Sequence, residues 1–134
     1  VKIIEGSIFF DVKKWAKEDK YGKLVSLDFD QLKSGTRCLS DEIEKEDAAD
    51  FALWKAKKEG EPFWEFDLEG DSLPGRPGWH LECSAMEQEV FALPFDIHSG
   101  GIDLQFPHHE DEIAQSKCGY GMEPTRYWVH NEHL

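Results

Sequence analysis

Phe-Asp-Ile-His-Ser-Gly-Gly-Ile-Asp-Leu-Gln-Phe-Pro-His-His-Glu-Asp-Glu-Ile-Ala-Gln-Ser, residues 95–116, is the stretch whose reading decides the fold. Phe95 to His98 is a short strand candidate, Ser99-Gly100-Gly101 a loop signal, and Pro107 stands where a first helical residue would, opening a helix to about Cys118. Upstream, residues 78–92 combine good helix formers with apolar Leu81, Ala85, Met86, Val90 and Phe91 at roughly helical spacing, and Pro94 stops the run. Downstream, Gly119-Tyr120-Gly121 signals a turn before a strand from Arg126 to Val129. Helix, strand, loop, helix, strand is half of a doubly wound α/β sheet. In such sheets ligands bind beyond the carboxyl ends of the strands, where His98 to Asp103 fall.

The same stretch carries metal-binding chemistry. His108 and Glu112 are four apart, so a helix sets them on one face about one turn from each other. Cys83, in Gly-Trp-His-Leu-Glu-Cys-Ser-Ala-Met (78–86), would have to be brought to them by the fold. Thiolate, imidazole and carboxylate are the ligand types zinc prefers, and three protein ligands leave a coordination position open, as at catalytic zinc sites. Plainer readings stand beside this one. A histidine pair with acids at a helix start also describes a solvated turn, and a lone cysteine near Ala and Met a small buried hydrophobe. Gly100-Gly101 can be a simple turn, Trp79 can be core, and His98 and His109 can be satisfied, partly buried side chains.

Taken together, Gly-Arg-Pro-Gly-Trp-His-Leu-Glu-Cys-Ser-Ala-Met (75–86) and residues 95–116 resemble cysteinyl-tRNA synthetases. The resemblance extends to Tyr-Gly-Lys-Leu (21–24), Asp-Phe-Ala-Leu-Trp-Lys (50–55) and Tyr-Trp-Val-His-Asn (127–131), which is nearly the whole chain. It implies an α/β chain in which residues 1–65 belong to the connective insertion and residues 66–134 form the second half of a class I Rossmann-type catalytic domain. It also implies ATP-dependent activation of cysteine, with Mg2+, and ligation of the cysteine to tRNA(Cys) in the cytoplasm.

The site residues implied are Cys83, His108 and Glu112 for one Zn2+ that recognises the substrate thiolate, Trp79 for the amino-acid pocket, Asp103 for the adenylate, and His98 and His109 beside it. His80, His130 and His133 receive no role. The His-Ile-Gly-His and Lys-Met-Ser-Lys-Ser type signatures of such enzymes do not occur in these 134 residues. The resemblance therefore implies an internal piece of a larger enzyme, inactive when isolated, whose fourth zinc ligand is a cysteine other than Cys38 or Cys118. Two alternatives remain at this point: a cysteine ligase of the mycothiol pathway on the same core, and a zinc hydrolase with Glu110 as base.

Composition sets outer bounds. With 15 Lys and Arg against 28 Asp and Glu, the formal net charge is −13, so the chain by itself is expected to bind nucleic acid poorly. The acids of 41–50 and 59–71 read as solvated surface. No apolar run is long enough to span a bilayer, and three widely spaced cysteines do not make a disulfide framework. Residues 2–12 suggest a bent strand or tight hairpin and Val12 to Lys17 a short amphipathic helix. Residues 18–46 look loop-like, with turns at Tyr21-Gly22 and Ser34-Gly35. Phe51 to Ala56 reads as a strand or a helical turn, and Gly60 to Pro77 as a return passage.

Overall fold

Glu5 and Gly6 sit between two apolar runs, and both have positive φ, 48° and 78°. That is the conformation a two-residue turn needs to join strands of right-handed twist. The structure, a computed structural model that describes residues 1–26 and 49–132, accordingly opens with a hairpin rather than a bent strand. β1 (Lys2–Ile4) and β2 (Ser7–Phe10) pair antiparallel with Lys2 opposite Phe9. The helical turn α1 (Val12–Trp15) follows, its start capped by the Asp11 carboxylate, which accepts from the Lys14 N–H at 2.9 Å. β3 (Phe51–Ala56) is a strand and pairs antiparallel with β2.

The passage after β3 holds a two-stranded ribbon, β4 (Asp67–Leu68) with β5 (Asp71–Ser72), and then β6 (Gly75–Pro77), which completes an antiparallel sheet of order β1-β2-β3-β6. Gly78 comes next because the chain crosses β3 closely there. A Cβ at Gly78 would lie 1.9 Å from the Ala52 carbonyl oxygen, so a side chain would force the following helix off the sheet.

That helix is α2 (Trp79–Val90). It is followed by β7 (Phe95–Gly101), a short turn α3 (Ile102–Leu104), a wide turn over Gln105–His109, α4 (Glu110–Tyr120) and β8 (Thr125–Asn131). β7 and β8 are parallel, from Phe95 opposite Thr125 to Gly101 opposite Asn131. The chain between them is helical, as a parallel crossover requires. Both strands run longer than the sequence pattern suggests: Ser99, Gly100 and Gly101 end β7 rather than forming a loop. The expected helix start at Pro107 falls inside the wide turn. Phe106 is extended (φ −139°, ψ 131°), as residues before proline tend to be, and the regular helix begins at Glu110. Gly121, with φ 75°, ends it.

The core gathers Phe10, Val12, Tyr21, Ala49, Phe51 and Ala114, with Trp15, Leu53 and Phe106 at its margin. Phe10 and Phe51 stack at 4.9 Å between ring centroids. α4 thus closes over one side of the antiparallel sheet. The apolar positions expected to bury along α2 do not do so: Met86 is 58% exposed, Val90 71% and Phe91 52%. The buried residue of α2 is Ser84, and the side that meets α4 carries Cys83 and Glu87. Cys38, the Ser34-Gly35 turn, most of the acidic run at 41–50 and His133 lie outside the described residues. Among the described residues no helix is long and apolar enough to cross a membrane.

Candidate metal centre

Three successive acids open α4, and all three are buried, Glu110 at 1% exposure and Asp111 and Glu112 at 0%. Successive helical residues point about 100° apart, so each acid meets different surroundings. Glu110 accepts from the backbone N–H groups of Gly22 (3.0 Å), Leu24 and Val25 (3.2 Å), which fixes the 22–25 segment against the helix. Asp111 accepts from the Tyr21 hydroxyl and has an oxygen 3.5 Å from His80 Nδ1. Glu112 points between α2 and β7. Its Oε1 is 2.9 Å from His108 Nε2 and its Oε2 is 3.5 Å from His98 Nδ1. Neither contact has hydrogen-bond geometry, and among the described residues neither Glu112 oxygen has a hydrogen-bond partner. A buried carboxylate in that condition is costly unless something else satisfies it.

Cys83, His108 and Glu112 converge, each offering a ligand atom within 4.8 Å of the other two. Burial, reinforced by the charge of Glu112 and then Glu87, pushes the Cys83 thiol up to about 11. Trp79 is no core residue. It is 56% exposed and stacks on the His108 ring at 4.4 Å with 13° between planes, a wall at the mouth of the group. His80 Nδ1 lies 2.9 Å from His108 Nδ1, so the nitrogen of His108 that does not face Glu112 is held by a second imidazole.

His98, His109 and Glu112 form a second convergent group with the same 4.8 Å limit. The parallel ribbon builds it. His98 lies opposite Trp128 and Gly100 opposite His130, and because side chains alternate along a strand, His98, Trp128 and His130 share one face. His98 stacks on Trp128 at 4.6 Å. Gly100 leaves the gap: a Cβ there would come within 2.8 Å of His109 Cε1, so the glycine admits an imidazole from the wide turn. His109 Nδ1 meets His130 Nε2 at 2.7 Å.

Burial depresses the basicity of both histidines, His98 downward and His109 to about 4. Glu87, 3.1 Å from His98, is pushed up to about 7, chiefly by burial and then by Glu112. Asp103 is exposed in α3, just past the carboxyl end of β7. Cys118 is exposed and in neither group.

The residues that converge here are among those the sequence singles out, but not all their supports are. His80, Glu87, Asp111 and His130 have no role in the reading of the sequence. His80 and Cys83 are three apart, one helical face, and Trp128 and His130 two apart, one strand face, so a signal existed for both histidines. None existed for Asp111, whose partner Tyr21 is 90 residues away. Glu110, the base imagined for a hydrolase, is committed to backbone amides away from either group.

The family described as "tRNA synthetases class I (C) catalytic domain" matches residues 2–134. The chain is 55% identical over 126 residues to a Cysteine--tRNA ligase of Solidesulfovibrio magneticus, covering 94% of this chain and 24% of that protein. It is 50% identical over 129 residues to the Cysteine--tRNA ligase of Fusobacterium nucleatum, 96% and 26% respectively, and 51% identical over 129 residues to that of Halorhodospira halophila, with the same coverage. The chain thus spans about a quarter of the length of the curated relatives it matches.

Proposed function

The chain belongs to the family of class I (C) tRNA synthetase catalytic domains, and from that premise we propose that it is the part of a cysteine–tRNA ligase that selects the amino acid. In this reading the whole protein activates cysteine on ATP with Mg2+ and passes it to tRNA(Cys). The crossover unit β7–α4–β8 is read as the second half of a Rossmann-type fold and residues 1–65 as part of its connective insertion. A sheet face on which Ile97, Tyr127 and Val129 are 61%, 67% and 51% exposed is compatible with a larger parallel sheet. A cytoplasmic setting goes with free thiols at Cys83 and Cys118.

One observation carries the proposal: a buried Glu112 carboxylate, neither oxygen of which makes a hydrogen bond of good geometry among the described residues, converges with Cys83 and His108. The donor set fits zinc in type and number, and two donors at about 2.0–2.1 Å from a tetrahedral ion stand about 3.3 Å apart, close to the 2.9 Å between His108 Nε2 and Glu112 Oε1. When bound there, zinc supplies a preference for a thiolate over the hydroxyl of serine, a discrimination that shape alone gives only weakly. The protein's own residues do the rest. Trp79 walls the pocket and bounds the volume open to a small side chain, His80 orients His108, and burial by α2 and α4 keeps water from the carboxylate. Asp103, beyond the end of β7, is suited to accept from ribose hydroxyls. His98 and His109, held neutral by burial, are suited to donate a hydrogen bond to the adenylate phosphate.

The relatives' names favour tRNA over an amino sugar as acceptor. The test is metal content of the complete protein after dialysis against a mild chelator. Cys83→Ala and His108→Ala are expected to lose most of one zinc and His109→Ala to keep it. Equal retention in Cys83→Ala and wild type, or loss in His109→Ala but not in His108→Ala, would overturn the ligand assignment.

A further inference from the structure

Glu112 presents its two carboxylate oxygens to different histidines, Oε1 to His108 and Oε2 to His98. We propose that Oε2, His98 and His109 form a second, weaker site for a divalent transition-metal ion, bridged to the first through the Glu112 carboxylate. The proposal rests on the reading of the Cys83 group only through this shared residue.

The geometry argues for an ion rather than a hydrogen-bonded cluster. His98 Nδ1 is buried and has no hydrogen-bond partner among the described residues, and neither has Glu112 Oε2, although the two atoms are 3.5 Å apart. That spacing is close to the roughly 3.3 Å between two ligands of one tetrahedral ion. One cation between them would satisfy both. His109 Nδ1 is engaged by His130, which leaves its Nε2 to coordinate. His109 has an outer partner of the kind that orients metal-bound imidazoles, His130 at 2.7 Å from its Nδ1, and Glu87 Oε1, 3.1 Å from the same His98 Nδ1, stands within reach of the same ion as a further carboxylate donor. A carboxylate bridging two ions about 3.5–4 Å apart is the arrangement of two-metal sites. Gly100 is what makes the second group possible, since a side chain there would exclude the His109 ring.

The donor sets differ, and so do the ions they select. Two imidazoles and a carboxylate favour Ni2+, Cu2+, Co2+ or Zn2+ over Mg2+ and Ca2+, which seek oxygen. Without a thiolate the second group binds such ions less selectively for zinc than the first. Filling it would occupy the two imidazoles proposed to face the adenylate, so an excess of these ions should inhibit adenylate formation while the first ion stays in place.

The test uses the complete protein, stripped of metal and titrated with Co2+, with ions per chain counted by equilibrium dialysis and elemental analysis. The expected result is two ions per chain in wild type, with the second lost in both His98→Ala and His109→Gln. The first, read by its thiolate-to-cobalt charge-transfer band, should persist in both and so report that the fold is intact. Cys83→Ser should weaken or abolish the band and leave the ion that depends on His98. A single ion per chain in wild type that survives His98→Ala, or two ions retained in both histidine variants, overturns the second site. A single ion that is lost in His98→Ala but kept in Cys83→Ser supports this site and instead sinks the reading of the Cys83 group.

Discussion

Metal binding at Cys83 should release close to one full proton at pH 9, where an ordinary thiol would release far less. Burial and the nearby carboxylates of Glu112 and Glu87 push this thiol up to about 11, so at pH 9 about 99% of it is protonated in the metal-free protein, whereas a thiol near 8.5 is only about a quarter protonated there. Coordination requires the thiolate, so each ion must displace that proton. The sign follows directly. Raising the pH lowers the cost of making the thiolate, and apparent affinity climbs about tenfold per pH unit until the pH approaches 11, instead of levelling off near 8.5. Because pH 9 lies above the ordinary histidine range, thiols dominate the proton count, and the share of Cys83 is the difference between wild type and Cys83→Ser. The assay is calorimetric titration of the metal-free complete protein in buffers of different ionisation enthalpy at pH 9, paired with chelator competition from pH 7 to 10. Cys83→Ser should release about one proton fewer than wild type, whatever a further cysteine ligand contributes. A difference near one quarter of a proton between wild type and Cys83→Ser, or an affinity that is flat above pH 8.5, would refute the argument that burial and charge hold this thiol protonated.

The supports of the two groups can be probed in the same way. His80→Ala should weaken zinc at the first group by about 10- to 100-fold, the usual cost of losing an outer partner of a metal-bound histidine, as measured by competition with a chromogenic chelator; an unchanged affinity would remove His80 from that role. Gly100→Ala forces a Cβ to within 2.8 Å of His109 Cε1, an overpacking worth about 1–3 kcal/mol, and should weaken the second cobalt ion without moving the first. Parallel loss of both ions would mean that His109 is not the residue displaced. In the complete enzyme Trp79→Ala should raise the KM for cysteine by at least about tenfold and that for ATP little, with Asp103→Ala doing the reverse, read by pyrophosphate exchange. Equal effects on both substrates would contradict the placement of these residues.

How much of this was legible depends on the distance over which each residue is satisfied. The pairing of His108 with Glu112 is written in their spacing, whereas the break after Ile4 between two apolar runs leaves both a bent strand and a hairpin open. Cys83 could be joined to them only by the family resemblance, since nothing local connects α2 to α4. Ser99-Gly100-Gly101 reads as a turn because glycines usually serve that end, but Gly100 is there to admit His109, a partner visible only once β8 lies alongside β7. The apolar residues of α2 suggest a face that packs inward, whereas the face that meets α4 is set by Cys83 and Glu87. A hydrophobic pattern cannot report a helix held in place by polar chemistry.

The first turn of α4 shows why. Glu110-Asp111-Glu112 looks like an ordinary acidic helix start, favourable to the helix dipole and fit for solvent. Instead each acid is buried, and each is spent on a different task by the rotation of the helix. Glu110 binds three backbone amides of residues 22–25, Asp111 binds Tyr21 and approaches His80, and Glu112 serves both histidine groups. The segment resembling the family's Tyr-Gly-Lys-Leu stretch is thereby fixed to the same turn that carries Glu112, one of the proposed metal ligands. His80 closes the circuit, lying 3.5 Å from Asp111 and 2.9 Å from His108. Moving Tyr21 should therefore be felt at His108 through Asp111 and His80. Tyr21→Phe, which removes only the hydroxyl that Asp111 accepts from, leaves that carboxylate without one of its partners, a cost of about 1–3 kcal/mol for a buried group. Its effect on zinc should be smaller than that of His80→Ala but of the same sign, and should vanish in the His80→Ala background. Additive losses in the double variant, measured by the same chelator competition, would show that Tyr21 and His80 act on the metal ligands separately.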